Sequence, residues 1–128
     1  MRPQSNRRGR PPTVDLFQLA RQCQGDARLQ HELLGQFRLQ SRALCAQLSE
    51  TANEALEARA GAAHKLCGSA LAVGAGRVAE AARRVENEIR AALGRPSAKA
   101  ERLPRAIAAL QLRVAEAIAE IERIHGRN

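Results

Sequence analysis

Tryptophan and tyrosine are absent from this 128-residue chain, and aromatic residues make up only 2% of it. Its 45% of hydrophobic residues is therefore mostly alanine and leucine with some valine and isoleucine, while arginine and glutamate dominate the charges. That is the vocabulary of helix packing rather than of sheets. Without aromatic side chains the folded part has no stacking platform for single-stranded nucleic acid. No apolar run approaches the roughly 20 residues needed to span a bilayer. The basic N-terminus is not followed by the hydrophobic stretch of a secretory signal, so a soluble, cytoplasmic protein is expected. Cysteine is scarce as well: Cys23, Cys45 and Cys67 are an odd number with no C-x-x-C pair. A disulfide framework or a zinc site is thereby disfavoured. The three thiols read as reduced, mostly buried small hydrophobes, with Cys67 the exception.

What the chain does have is positive charge, a formal net +8 that is unevenly spread. Arg2, Arg7, Arg8 and Arg10 fall in the first twelve residues with no acidic residue among them, so half of the excess sits there. Residues 1–12 end in Pro11-Pro12 and read as a disordered basic tail or linker. Within it, Arg8-Gly9-Arg10-Pro11 is the core of an AT-hook, in which Arg-Gly-Arg lies in a narrow A·T minor groove. Four residues in an arginine-rich chain are a weak signal, and the linker reading stands ahead of a DNA-associating tail through Arg8, Gly9 and Arg10. The remainder, residues 13–126, carries both signs interspersed, as a solvated helical surface does.

Helical periodicity organises that remainder. Thr13 can cap a short first helix with Leu16, Leu19 and Cys23 at helical spacing, and Gly25 ends it. Asp26 caps a long second helix reaching about Ser49, with Leu33, Phe37, Leu44 and Leu48 on one stripe. Asn53 caps a third, whose inward face is Leu56, Ala63, Leu66, Ala70 and Val73 and whose C-terminal cap is Gly74. A tight Gly74-Ala75-Gly76 turn leads to a fourth helix with Val78, Ala82, Val85, Ile89 and Leu93, ended by Gly94. After an Arg95-Pro96-Ser97 loop, the last helix repeats Leu103, Ile107, Leu110, Val114, Ala117, Ile121 and Ile124, with Pro104 tolerated in its first turn. Four long amphipathic helices with short connections predict an all-α antiparallel four-helix bundle, its end covered by the short N-terminal helix. A monomer is expected.

One stretch breaks the local rules. Ala62-Ala63-His64-Lys65-Leu66-Cys67-Gly68-Ser69-Ala70 sets a histidine mid-helix, with Gly61 a turn before it and Gly68 a turn after. Each interior glycine costs about 1 kcal/mol relative to alanine, and close approach of something large is a reason to keep both. His64 falls beside the apolar stripe, at the border of the buried face. Its neighbours one turn away, Ala60, Gly61, Cys67 and Gly68, are all small. A bare convex face with one imidazole is a docking surface for a protein that brings its own active site, with Lys65 and Leu71 in the same neighbourhood. Neutral imidazole is nucleophilic and largely unprotonated near neutral pH, and histidine forms covalent intermediates. The bland alternative is a boundary histidine without function. Metal binding by His64 and Cys67 lacks a further ligand nearby, His31 and His125 read as structural or solvent-exposed, and Arg83-Arg84 reads as a solvated face that could line the docking surface.

The segment Ala63-His64-Lys65-Leu66-Cys67-Gly68-Ser69-Ala70, followed by Gly74-Ala75 and Val85-Glu86, resembles the histidine-containing phosphotransfer (HPt) domain of bacterial phosphorelays. The family pattern is A-H-x-L-K-G-S-[SA], then a G-A pair, then a hydrophobic-Glu pair about ten residues on. Gly25-Asp26 with Leu33 and Phe37 resembles its upstream segment, and the similarity covers roughly residues 13–124. The resemblance implies a four-helix bundle and a phosphocarrier rather than an enzyme. His64 would accept a phosphoryl group from a receiver-domain aspartate of a hybrid sensor kinase and pass it to a response regulator. Ala60, Gly61, Lys65, Cys67, Gly68 and Leu71 would form the docking face, and the receiver would contribute Mg²⁺, the domain holding no cofactor of its own. The sequence departs from the pattern at Cys67, where the family has a lysine that favours the phosphorylated form. A receiver-binding module that transfers nothing, or a bundle with a DNA-associating tail, would be the alternatives.

Overall fold

A computed structural model of the protein describes residues 13–49, 56–94 and 102–126. The 1–12 tail, Asn53 and the Arg95-Pro96-Ser97 loop lie outside the described residues. Five helices account for almost all of what is described: α1 (Leu16–Gln22), α2 (Ala27–Leu48), α3 (Leu56–Ala72), α4 (Gly76–Gly94) and α5 (Arg102–Gly126). No strand occurs among the described residues, as the all-α expectation requires.

Each long helix packs against two others: α2 touches α3 and α5, and α4 touches α3 and α5. Contacts along the seams show the pairwise sense. Between α3 and α4, His64 meets Glu86 and Cys67 meets Arg83, so residue numbers rise on one helix as they fall on the other. The α2–α3 seam behaves the same way, with Arg59 meeting Leu48 and Ser69 meeting Gln40. So does the α2–α5 seam, where Ser49 meets Gln111 and Arg38 meets Glu122.

The core follows the helical stripes closely. Leu19, Leu48, Leu66, Val78, Val85, Ile89, Leu110 and Ile121 are fully buried, and Phe37 and Leu34 nearly so. Between them lie Ala60, Ala63, Ala70, Ala82 and Ala117 without exposed surface. Small side chains of this kind let helix backbones approach closely, and α3 with α4 makes the largest interhelical contact. Of the neighbouring pair Leu33 and Leu34 in α2, Leu34 turns into the core, while Leu33, placed on the stripe by the spacing, is only half-buried. Ser41 completes that face, satisfied by donating its hydroxyl to the Arg38 carbonyl at 3.1 Å.

Helix ends explain how the turns near the site hold. Asp15, not Thr13, caps α1: its carboxylate accepts from the Gln18 amide at 3.1 Å. Consequently Leu16 is 41% exposed and only Leu19 and Cys23 of the expected repeat are buried. The α1 terminus turns at Gln24 as well as Gly25, with φ of 53° and 81°. The Gly25 amide reaches back to the Ala20 carbonyl and the Gln24 amide to Arg21, the paired bonds of a Schellman ending. Asp26 then caps α2 as expected, accepting from the Leu29 amide. At the far end of α2, the guanidinium of buried Arg59 donates to the Leu48 carbonyl at 3.1 Å, occupying an acceptor that the helix end leaves open.

The α3–α4 turn is a second Schellman ending. Gly74 has φ of 79°, and amides of Gly74 and Ala75 bond the Leu71 and Ala70 carbonyls. Gly74 also receives α1, since its carbonyl accepts from the Asp15 amide at 2.8 Å. A Cβ at Gly74 would stand 2.7 Å from the Asp15 carbonyl oxygen. Glycine is thus needed twice, for the left-handed backbone and for the close approach.

Candidate functional site

The candidate site lies on the α3–α4 seam. His64 is on α3 with its side chain 76% exposed, further from the core than the border position its spacing suggests. Ala62 and Ala63, the two residues before it, turn inward, and the imidazole stands on the outer side of the helix. Its Nδ1 lies 3.2 Å from Glu86 Oε1 on α4. A carboxylate only accepts, so Nδ1 carries the proton in that bond. In the neutral ring that bond favours the tautomer with the proton on Nδ1, which leaves the lone pair on Nε2.

Glu86 is itself held in place. Its side chain is 16% exposed, and its Oε2 accepts from Arg90 Nε at 3.0 Å, one helical turn along α4. Partial burial alone would push the Glu86 carboxyl up, but hydrogen bonds from Arg90 and His64, and the charges of both, hold it below the usual carboxylate range. An ionised carboxylate is therefore available to the imidazole throughout the neutral range. Such a partner orients the ring and stabilises positive charge that develops on it.

Around His64 the expected docking residues separate into two groups. Gly61, Gly68 and Leu71 are exposed near His64, with Leu71 at 48%, and Lys65 is exposed about 100° further round the helix. Ala60 is not: it is fully buried, because it lies one turn before Ala63 on the inward side of α3. It supports the face from beneath and offers no contact surface. Cys67 is half-buried, a free thiol on the α4 side of the histidine. A Cβ added at Gly61 or Gly68 would meet nothing within 4 Å. Neither glycine is required by internal packing among the described residues, which leaves the space outside the helix as what they keep open.

The other candidates fall elsewhere. Cys23 is buried and Cys45 half-buried, with burial pushing the Cys45 thiol up. Among the described residues, no three His, Cys, Asp or Glu side chains cluster as metal ligands would. His31 and His125 stack on each other with ring centroids 3.7 Å apart, joining α2 to α5 far along the chain from His64. Half-buried His125 thus packs against α2. Adjacent Arg83 and Arg84 diverge: Arg83 turns toward Cys67, with Nη2 3.9 Å from Sγ, while Arg84 lines a separate cavity with Glu88, Arg102 and Arg105. Arg8, Gly9 and Arg10 lie outside the described residues. Sequence reasoning quoted Glu86 only as part of a motif and missed Arg90; an i, i+4 Glu–Arg pair on the helix facing His64 was the signal available.

A solvent-facing imidazole braced by a carboxylate, on a face kept bare by two glycines, is an arrangement suited to presenting a side chain to another protein. The family comparison points the same way, for the Hpt domain model matches residues 32–123. The chain belongs to the Hpt domain family, whose members carry phosphoryl groups between receiver domains in two-component phosphorelays rather than catalyse a reaction of their own. Comparison with curated proteins and with solved structures gave no significant match. Among the described residues no helix is long and apolar enough to cross a membrane.

Proposed function

We propose that His64 is the phosphoacceptor of this Hpt domain, taking its phosphoryl group from an aspartyl phosphate of a sensor-kinase receiver and passing it to the aspartate of a response regulator. The observation that carries the reading is the bond from His64 Nδ1 to Glu86, which leaves Nε2 unencumbered and facing solvent. In the step, the Nε2 lone pair forms the N–P bond while the P–O bond to the donor aspartate breaks. The electron pair of that bond leaves on the carboxylate. Nδ1 keeps its proton, and the imidazolium charge is matched by Glu86. Onward transfer reverses the sequence: the N–P bond breaks, its pair returns to Nε2, and the regulator's aspartate gains the phosphoryl group.

The receiver supplies Mg²⁺ and the walls of the reaction site, and Gly61 and Gly68 admit it. Exposed Leu71 and Lys65 give that partner an apolar and a cationic contact beside the histidine. A cytoplasmic monomer suffices for this role. Incubation with a phosphorylated receiver and Mg²⁺ tests it: wild-type protein should acquire an acid-labile, alkali-stable label. Its absence with every receiver tried would defeat the carrier reading, and label persisting in His64→Gln would defeat the site.

A further inference from the structure

A phosphoryl group on Nε2 brings negative charge onto three oxygens, and Glu86 can do nothing for it except repel. A cation is needed on the outer side of the imidazole. Three candidates stand near. Arg90 is spent, its guanidinium bound to both sides of the Glu86 Oε2 contact through Nε and Nη2 at 3.0 Å. Lys65 follows His64 in sequence, so its side chain leaves α3 about 100° away, on the flank opposite α4. Arg83 is the third.

The α3–α4 seam is a ladder in which His64–Glu86 is one rung and Cys67–Arg83 is the next. His64 and Cys67 are one turn apart on α3, and Arg83 and Glu86 one turn apart on α4, spacings of about 5–6 Å. The Arg83 guanidinium therefore lies over the helix surface next to the histidine, on the α4 side. Its one hydrogen-bond partner among the described residues is the Cys67 thiol at 3.9 Å, a weak acceptor. Four of its five donors remain for a phosphoryl group, and a flexible side chain needs only a small swing to deliver them. Planar, always charged guanidinium suits the bidentate geometry of phosphoryl oxygens. The position beside it, which in the family pattern holds a lysine, is here the small uncharged Cys67; a lysine there would crowd and repel Arg83.

We propose that Arg83 is the phosphoryl-binding cation of this domain, reaching across from α4 to the group carried on His64. This rests on His64 being the phosphoacceptor. It also explains how a chain with cysteine at position 67 keeps a positive charge beside its phosphohistidine.

The full chain can be loaded without any partner by potassium phosphoramidate, whose P–N bond breaks as ammonia leaves and the N–P bond to the imidazole forms. Titration of the phosphohistidine by phosphorus-31 NMR then reads the second ionisation of the phosphoryl group. A neighbouring cation favours the dianion, so Arg83→Ala should weaken that ionisation about two- to five-fold, the range of an exposed charge pair. Arg83→Lys should retain most of the wild-type value, and Arg84→Ala, with the same loss of charge on another face, should leave it unchanged. Arg83 is exposed, so its truncation leaves the core intact, which circular dichroism checks. An unchanged titration in Arg83→Ala, or an equal shift in Arg84→Ala, overturns the assignment of Arg83 while leaving His64 standing. Loading of His64→Gln to the level of wild type overturns both.

Discussion

At the scale of single residues, the site rests on what surrounds one imidazole. His64 was readable from the sequence because glycine in a helix interior is unfavourable and two of them flank it. In the structure neither Gly61 nor Gly68 has an internal neighbour that a Cβ would strike. A paradoxical outcome follows for their substitution. Gly61→Ala and Gly68→Ala should each stabilise the fold by about 0.5–1 kcal/mol, because helix propensity improves and nothing clashes. Gly68→Gln should also fold, yet slow receiver-driven phosphorylation roughly ten-fold or more by filling the approach. Denaturant melts paired with transfer assays on the same preparations check this; a stable Gly68→Gln that transfers at the wild-type rate removes the reason given for the glycine. The Glu86 brace and the Arg83 reach were not readable in the same way. Both depend on which residues of α4 face α3 at that height, and helical spacing alone leaves the register of two helices open.

Among the elements, the short α1 and the two turns carry the informative differences. Thr13 and Asp15 are both plausible caps by residue type, and only the Asp15 bond to the Gln18 amide decides between them. The Gly74 ending of α3 was foreseen as a cap, but its second task, admitting the Asp15 backbone, depends on where α1 docks. Gly74→Ala meets both a left-handed φ of 79° and a 2.7 Å approach to the Asp15 carbonyl. It should cost roughly 2–4 kcal/mol, combining the backbone penalty with overpacking. Urea unfolding measures it, and a loss under about 1 kcal/mol would mean that α1 is not held as described.

The α2–α5 seam offers a pH dependence. Burial pushes the His125 pKa below its ordinary 6.5, and the charges of His31 and Arg38 push it the same way, against a backbone hydrogen bond with His31. Glu122, paired with Arg38, is the acidic group nearby. Because the folded value is the lower one, the unfolded chain binds the proton first as pH falls. The stability contributed by neutral His125 is complete above about 6.5 and disappears as pH drops through the folded value. Thermal midpoints between pH 8 and 5 should fall, and His125→Gln should flatten that fall. An equal decline in the variant would assign the acid sensitivity to another group.

For the molecule as a whole, composition was a good guide and topology a partial one. Lack of aromatic residues and abundance of alanine and leucine foretold helices packed closely, and the buried alanines of α3 and α4 are where that closeness brings His64 and Glu86 together. The stripe on α5 gave nearly its whole inward face, with Ile107, Leu110, Val114, Ala117 and Ile121 buried and Leu103 and Ile124 packed at the margins. The family resemblance then linked a histidine to a chemistry that no surface histidine declares by itself, and the Hpt match over residues 32–123 establishes that link. His64 is the one histidine inside the matched residues, though the match by itself does not place a phosphoryl group on it. The choice of His64 as the proposed phosphoacceptor rests on the settings of the three histidines as well: His31 and His125 stack on each other, while His64 faces solvent beside Glu86.

That choice is open to a direct measurement. Receiver-driven phosphorylation in the presence of Mg²⁺, followed by tandem mass spectrometry under alkaline conditions, locates the phosphoryl group on the chain. The expected result is modification of the peptide containing His64 and of no other, with none in His64→Gln. A phosphoryl group on His31 or His125, or an undiminished yield in His64→Gln, would contradict the account.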